Sequence, residues 1–387
     1  SETMEPIAHL RLVEKSEPPE YDEQTLKAHN ENSGKYAAEA LRCIGLDKVG
    51  NFCGNIHDLG KATKKFFDYI QPDNTLRRGE VNHTFAAVRY IFEMSDGVDN
   101  EVRELLAYAV GAHHGQFDAV NDDHKNGFEH RLTKDGIDYD EAKKNFNEYC
   151  FSDAELKSQF DGAAEQLTEI IAGIRERNPK RSARQAEEYE FQISLLARLL
   201  LSAVIEGDRR DTAEFMENME FPQVEADWDE CLGHIEEKLG KFSNTRPIDG
   251  ARKQISDICR AVAEGEPGIF RLNVPTGAGK TLSGLRFAVA HAKTHRKKRI
   301  IFTSPLLSIL DQNAKIIREF IRDDNIITEH HSNVALDEDN VDELKRAQLL
   351  TESWSSPVII TTLVQLLDTL FAGKTSCIRR MHALCDS

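Results

Sequence analysis

Seven histidine and aspartate residues in the first 210 positions have side chains that could hold metal ions. They are His29, His57, Asp58, His83, His113, His114 and Asp208. Imidazole and carboxylate together suit Mn, Fe, Co, Ni or Zn better than Ca or Mg. Seven ligands exceed what one ion needs and are enough for two. Because two ions about 3.5–4 Å apart can ionise a water and neutralise a phosphodiester, the series indicates phosphate-ester hydrolysis.

The segment His57-Asp58-Leu59-Gly60-Lys61 contains the most informative part of this series. Neighbouring residues on a helix point about 100° apart, so His57 and Asp58 could face two metals from one place. Lys61 lies one helical turn after His57, on the same face. We therefore expect Lys61 to meet a phosphate beside the metals. A lone histidine is more often a solvated surface residue, so the prediction depends on the joint occurrence of the series.

A second motif, the run Leu272–Thr281, follows a short apolar stretch and opens a helical pattern. Backbone N–H groups around Gly277 and Gly279 could cradle phosphates, with Lys280 reaching the β- and γ-phosphates and the Thr281 hydroxyl holding Mg²⁺. The form Pro-Thr-Gly-x-Gly-Lys-Thr is the variant of the phosphate loop found in helicases. Gln254 lies upstream, where helicases often place a glutamine that reads adenine.

Periodicity divides the chain into two parts. Residues 22–245 show apolar residues at helical spacing in segment after segment, which predicts an all-α domain over 1–245. Residues 116–140 read as a loop. From about 246 onward strand patterns at 268–274, 299–303 and 358–361 alternate with helices, which predicts parallel βα units in an α/β domain over 246–387. We expect a multidomain protein.

Composition narrows the function classes. The net charge of −17 argues against a protein that coats nucleic acid by charge alone. Residues 246–387 contain 20 Lys+Arg and 17 Asp+Glu, so they carry +3 and residues 1–245 carry −20. Seven scattered cysteines without a CxxC pair fit a reducing cytoplasm. Because neither a signal peptide nor an apolar stretch of 18 residues is present, we expect a cytoplasmic protein without a membrane partner.

The order of these motifs resembles the HD superfamily of metal-dependent phosphohydrolases. With the doublet His113-His114 and a helicase-type phosphate loop, the chain is similar to the CRISPR-associated nuclease–helicases of type I systems. In these proteins an HD nuclease domain precedes a superfamily-two helicase. The resemblance implies an HD-type all-α domain followed by part of a RecA-like α/β domain.

The resemblance also implies roles for single residues. His29, His57, Asp58 and Asp208 would hold one divalent transition metal (Mn, Fe, Ni or Co). Asp58, as a bridge, would hold the other with His83, His113 and His114. Asp58 and Lys61 would be the catalytic residues. Gly277, Gly279, Lys280, Thr281 and Gln254 would bind ATP with Mg²⁺ in the full-length protein.

The implied substrate is single-stranded DNA, the displaced strand of an R-loop. The implied partner is the RNA-guided surveillance complex of a type I CRISPR system, and a phage-encoded inhibitor is a further candidate partner. The helicase family has an Asp-Glu motif and a second RecA-like domain beyond the point where this sequence stops, at Ser387. We therefore expect this chain to bind nucleotide weakly without hydrolysing ATP.

Two alternatives remain open at this stage. One is an HD nucleotide phosphohydrolase with a regulatory nucleotide-binding domain. The other is a binding module without catalysis, which would be favoured if the seven ligands did not converge in space. The helicase motif and the basic cluster at 293–299 favour the DNA nuclease.

Overall fold

The computed structural model describes residues 4–77, 81, 83–117, 127–132, 138–332 and 341–387. It contains two compact units. The first comprises Ser1–Phe221 with Thr369–Cys385, and the second comprises Pro222–Asp368 with Asp386–Ser387. The polypeptide therefore leaves the first unit and returns to it. No helix among the described residues is both long and apolar enough to cross a membrane.

The first unit is a helical bundle with a small antiparallel hairpin at its amino-terminal end. The hairpin pairs β1 (Ile7–Leu12) with β2 (Tyr21–Thr25). The helices are α1 (Leu26–Leu41), α2 (Asp47–Ile56), α3 (Lys64–Ile70), α4 (Thr84–Met94), α5 (Asn100–Gly111), α6 (Gly127–Leu132), α7 (Tyr139–Tyr149), α8 (Asp153–Arg177) and α9 (Ala183–Met216). The short helix α16 (Thr375–Ile378) also belongs to this unit.

Capping side chains and apolar faces explain these helices. The Thr25 side chain accepts a hydrogen bond from Ala28 N at the start of α1, and Ser152 and Glu155 form a capping box at the start of α8. Apolar side chains such as Phe52 and Phe160 are fully buried in one core. The long helix α9 packs against both α1 and α2. This packing brings separate parts of the sequence to one place.

The second unit is an α/β fold around three parallel strands in the order β3-β5-β4. Their bounds are β3 (Ile300–Ser304), β4 (Ile327–His330) and β5 (Val358–Thr362). Ile300 and Ile327 both align with Val358 of the central strand. The helices are α10 (Trp228–Gly240), α11 (Pro247–Val262), α12 (Lys280–His295), α13 (Leu307–Ile321) and α14 (Val341–Ser353), and α15 (Leu363–Phe371) begins in this unit.

The predicted fold class, an all-α domain followed by an α/β domain, is confirmed, but two local expectations differ from the structure. Residues 268–274 do not form a strand, and Ile269 is 97% exposed. No strand in the described part of the chain pairs with this segment, so its apolar residues have no sheet to join. The hairpin β1–β2 was not predicted. The expected loop at 116–140 contains α6 and the start of α7, and its residues 118–126 and 133–137 lie outside the described residues.

The compact units have bounds other than 245/246, and the predicted division into two domains stays a prediction. Helix α10 belongs to the second unit because Cys231, Leu232 and Ile235 pack into its core. Residues Thr369–Cys385 belong to the first unit because they pack along α9.

Candidate metal centre

The predicted ligands lie on five segments of the first unit, mostly at helix ends. His29 is in the first turn of α1, and His57 and Asp58 directly follow α2. His83 precedes α4, and His113 and His114 follow α5. Asp208 lies near the end of α9. Residues separated by up to 179 positions therefore meet because α1, α2, α5 and α9 pack together.

Asp58 is the centre of the cluster and is fully buried. Its Oδ2 lies 3.3 Å from both His29 Nε2 and His57 Nε2. Its Oδ1 lies 3.6 Å from His113 Nε2 and 3.9 Å from His83 Nε2. One carboxylate thus faces two sets of imidazoles, one set through each oxygen.

Three overlapping sets of ligand atoms result. His29, His57, Asp58 and Asp208 form one set, in which His29 Nε2 lies 3.2 Å and His57 Nε2 lies 3.6 Å from Asp208 Oδ1. Asp58, His83 and His114 form a second, and His113, His114 and Asp208 a third. Within each set the ligand atoms lie within 4.8 Å of one another. The structure thus brings all seven predicted ligands together, and the assignment of each to a particular ion stays a prediction.

Three buried histidines share one hydrogen-bonding pattern, in which Nδ1 of the ring donates. His57 Nδ1 donates to the carbonyl of Gly54 at 2.7 Å, and His113 Nδ1 donates to that of Val110 at 2.5 Å. His29 Nδ1 donates to the carboxylate of Asp211 at 2.6 Å. A donating Nδ1–H leaves the Nε2 lone pair available for another partner. All three Nε2 atoms are buried without a hydrogen-bond partner, which is costly unless a ligand such as a metal ion occupies the space between them.

Charge separates the histidines into two groups. Burial lowers the pKa of His29, but the nearby carboxylates of Asp208, Asp211 and Asp58 outweigh it and raise that pKa to about 10. Burial also lowers the pKa of His57, but Asp58 and Asp208 outweigh it and raise that pKa to about 9. The protein surrounds these two imidazoles with negative charge, so a cation is favoured there.

His83 and His114 behave in the opposite way. Their Nε2 atoms lie 3.2 Å apart. Burial is the main cause that lowers the pKa of His83 to about 4 and that of His114 to about 3. Both rings are therefore neutral near pH 7, which is the form that binds metals. The donor chemistry of the whole cluster fits divalent transition metals.

Lys61 lies inside the cluster and is only 7% exposed. Its Nζ is 2.6 Å from Asp58 Oδ2 and 5.4 Å from the centre of the Phe66 ring. Burial acts to raise the pKa of Asp58. The charges of His57 and, after it, of the Lys61 ammonium group outweigh burial, so that pKa lies well below its usual value. Lys61 thus contacts a predicted ligand directly.

Asp211, Gln24 and Asn32 were not among the predicted site residues. Asp211 is 2% exposed and lies one turn after Asp208 on α9. Its carboxylate accepts hydrogen bonds from His29 Nδ1, Gln24 Nε2 and Asn32 Nδ2. The spacing of three between Asp208 and Asp211 is a signal that the sequence carries. No pattern in the sequence indicates Gln24.

The phosphate-loop residues lie in the second unit. Gly279 precedes α12 with a φ of 84°, in the left-handed region that favours glycine. Lys280 and Thr281 are the first two residues of α12, and the Thr281 hydroxyl donates to Asn313 Oδ1 at 3.1 Å. Arg252 Nε donates to the carbonyl of Gly277 at 2.9 Å. Gln254 is exposed on α11.

Comparison with known proteins gives matches to both units. Residues 25–203 match the family described as Cas3, HD domain, and residues 254–384 match the DEAD/DEAH box helicase family. A CRISPR-associated nuclease/helicase Cas3 of Haloferax volcanii is 22% identical over 420 residues, which cover 93% of this chain and 44% of the relative.

Solved structures of T. fusca Cas3 share the fold. The ATP complex matches with a TM-score of 0.52 and 17% identity, covering 98% of this chain and 46% of that one. The ADP complex matches with the same TM-score and identity, covering 99% and 46%. This chain therefore spans about half the length of the relatives it matches. The two family matches together show a Cas3-type HD domain over residues 25–203 followed by a DEAD/DEAH box helicase domain over residues 254–384.

Proposed function

We propose that the first unit is a metal-dependent nuclease that cleaves single-stranded DNA. The observation that carries this proposal is the convergence of the seven predicted ligands around the Asp58 carboxylate, with three buried Nε2 atoms that make no hydrogen bond. His29, His57, Asp58 and Asp208 would hold one divalent transition-metal ion. Asp58, His83, His113 and His114 would hold the second. Bound ions of this kind supply an ionised water and neutralise a phosphodiester.

Backbone and side-chain groups of the protein orient the predicted ligands of this site. The backbone carbonyls of Gly54 and Val110 hold His57 and His113 with Nε2 facing Asp58. The Lys61 ammonium places a positive charge beside Asp58, and we assign it to the phosphate that reaches these ligands. Asp58 has the central role because both of its oxygens face imidazoles.

The match of residues 25–203 to the Cas3 HD-domain family and the similarity to Cas3 relatives support the biological setting that we propose. The substrate would be the displaced strand of an R-loop in type I CRISPR interference, delivered by an RNA-guided surveillance complex. The second unit would bind ATP with Mg²⁺ through Lys280 and Thr281, with Gln254 contacting the base. These assignments rest on the motif residues at the start of α12 and on the family of residues 254–384.

The test is cleavage of circular single-stranded DNA by the purified chain with Mn²⁺, Co²⁺, Ni²⁺, Mg²⁺ or EDTA. We expect cleavage that requires a transition metal and falls at least about 100-fold in Asp58→Ala, since losing a ligand should cost more than the 10–100-fold typical of outer-shell partners. Asp68→Ala is the matched control, because Asp68 is an exposed carboxylate on α3.

The result also separates the nuclease from its alternative. Intact DNA combined with metal-dependent hydrolysis of small nucleotides would overturn the nuclease and favour a nucleotide phosphohydrolase. Equal cleavage by Asp58→Ala and wild type would remove the metal cluster from the reaction.

A further inference from the structure

The Asp211 carboxylate is buried one helical turn from Asp208 and accepts three hydrogen bonds. Its Oδ2 accepts from His29 Nδ1 at 2.6 Å and from Gln24 Nε2 at 2.8 Å. Its Oδ1 accepts from Asn32 Nδ2 at 2.7 Å. A buried carboxylate with three donors has its charge compensated and its orientation fixed.

His29 differs from the other buried histidines of the cluster in what holds its Nδ1. His57 and His113 each donate to a neutral backbone carbonyl three residues earlier in the chain. The Nδ1 of His29 instead donates to a charged carboxylate 182 positions away. A carboxylate partner makes the opposite ring nitrogen a stronger metal ligand than a carbonyl partner does.

Residues of the hairpin β1–β2 hold the Asp211 carboxylate in place through further hydrogen bonds. The Gln24 amide donates to Asp211, so its Oε1 accepts from His9 Nδ1 at 2.8 Å. The His9 ring lies edge-on to the His29 ring, with centroids 4.7 Å apart at 90°. Asp211 and all of these hairpin residues lie outside residues 25–203, the part of the chain that matches the HD-domain family.

We propose that Asp211 is the positioning residue of the metal centre. It holds His29 with Nε2 facing Asp58 and Asp208, and Gln24 and Asn32 hold Asp211. This inference rests on the proposed function, because it takes His29 as a metal ligand. It adds a residue outside the seven ligands, and it makes the amino-terminal hairpin part of the site.

The test is metal binding by the full chain carrying Asp211→Asn. An asparagine has the same shape but only one accepting oxygen, so it cannot accept from donors on both sides of the group. We expect Mn²⁺ affinity, measured by titration calorimetry, to fall about 10–100-fold. We also expect the visible absorption of bound Co²⁺ to change, because its ligand geometry changes.

Glu214→Gln is the matched control. Glu214 lies three residues after Asp211 on α9 and also accepts hydrogen bonds, from the Tyr36 hydroxyl and from Phe221 N. It contacts no histidine of the cluster in the described structure. We expect its Mn²⁺ affinity and Co²⁺ spectrum to match those of the wild type.

A second background distinguishes positioning from a general structural role. In His29→Ala the residue through which Asp211 acts is absent, so adding Asp211→Asn should cause no further loss of Mn²⁺ affinity. Asn32→Ala, which removes one donor and leaves the carboxylate, should give a smaller loss that also disappears in His29→Ala. This milder variant provides the test if Asp211→Asn does not fold.

Two results would overturn the inference alone. One is wild-type Mn²⁺ affinity in Asp211→Asn, and the other is an equal loss with and without His29. Wild-type protein that binds no Mn²⁺ would overturn the proposed metal centre and this inference with it.

Discussion

At the scale of single residues, Gly60 shows how closely the cluster of predicted metal ligands is packed. It lies between Asp58 and Lys61, and a methyl group on its Cα would overlap the backbone carbonyl of His83. The obstacle is backbone, which cannot rotate away as a long side chain can. The loop that presents His83 therefore depends on the absence of a side chain at position 60.

Gly60→Ala should damage both stability and metal binding. We expect a loss of about 1–3 kcal/mol in the free energy of unfolding, as is typical of overpacking. Mn²⁺ affinity should fall because His83 must move. Urea unfolding and calorimetry of the same preparation measure both. Gly233→Ala is the control, since nothing lies within 4 Å of an added Cβ there; equal behaviour of the two variants would contradict the argument.

The seven predicted ligands could be grouped from the sequence because doublets such as His57-Asp58 are adjacent in the chain, and their role as ligands stays a prediction. Asp211 was missed although it lies three residues from Asp208. A carboxylate at this spacing on a helix is usually a solvated surface residue. Only the tertiary contact with His29, 182 positions away, distinguishes it.

At the scale of elements, α4 and α7 are joined by a polar cluster at Glu93. Its carboxylate accepts from the Tyr139 hydroxyl at 2.7 Å and from Lys143 Nζ at 3.0 Å. Burial raises the pKa of Glu93, but Tyr139 and Lys143 outweigh it and lower that pKa below its usual value. The charged carboxylate is therefore the form that stabilises the fold.

The contribution of Glu93 should depend on pH in a defined direction. Because its folded pKa is lowered, the stabilisation is present above the unfolded pKa of about 4.3 and is lost as pH falls through the folded pKa. Glu93→Gln should thus be less stable than wild type at pH 7, by under about 1 kcal/mol because the site is partly exposed. Urea unfolding should show the difference shrinking as the pH approaches 3.

The exposed Glu148 on α7 provides the comparison for this prediction. Glu148→Gln should change stability less at pH 7. A Glu93→Gln difference that grows as the pH is lowered would show that the sign is wrong.

The segment Thr369–Cys385 is attached to α9 by buried polar contacts. Arg198 donates to the carbonyl of Thr369, and Ser202 donates to that of Arg379. Arg379 Nε donates to Glu206 Oε2 at 2.7 Å, and both side chains are nearly fully buried. Residues 198, 202 and 206 share one face of α9. The same helix contains Asp208.

Arg379→Ala should strongly destabilise the first unit. Removing one partner of a buried ion pair leaves an uncompensated charge, which typically costs about 3–5 kcal/mol. Thermal or urea unfolding measures this. Arg184→Ala is the control on α9: its ion pair with Glu188 is exposed, so we expect a change under about 0.5 kcal/mol. Similar small effects for both variants would contradict the role of the buried pair.

At this scale the helices were more predictable than the strands. Periodicity identifies α8 and α9 because their apolar faces repeat over many turns. A strand requires a neighbour, and the sequence does not show whether one is present. Residues 268–274 were therefore predicted to be a strand, although no strand of the described structure pairs with them. The hairpin β1–β2 was missed because few of its residues are buried.

At the scale of the whole molecule, the two candidate sites lie in different compact units. The predicted metal ligands belong to the first unit, and Lys280 and Thr281 belong to the second. The order of the two domain types was predictable, because a change from helical to alternating patterns is visible along the chain. The return of residues 369–385 to the first unit was not, because it depends on long-range contacts with α9.

Lys280→Ala should separate the two sites functionally. We expect the affinity for a fluorescent ATP analogue to fall at least about 10-fold, or about 1.4 kcal/mol, because a charge directed at the phosphates is lost. Metal-dependent cleavage of circular single-stranded DNA without ATP should not change. Anisotropy and gel assays measure the two.

Lys293→Ala is the matched control on the same helix, where Lys293 pairs with Asp229 near the opposite end of α12. Nucleotide affinity that falls equally in both variants would argue against a phosphate site at Lys280. Cleavage lost only in Lys280→Ala would contradict the independence of the two sites.

The return of Thr369–Cys385 to α9 has a consequence for synthesis on the ribosome. Chains emerge amino-terminus first, and domains commonly fold as soon as they are complete. Here the first unit is complete only after residue 385 has emerged, by which time residues 222–368 of the second unit have been made. Until then Glu206, which lies two positions before Asp208, lacks its ion-pair partner Arg379. The unit that contains the seven predicted ligands thus completes its fold only after residues 222–368 have been made.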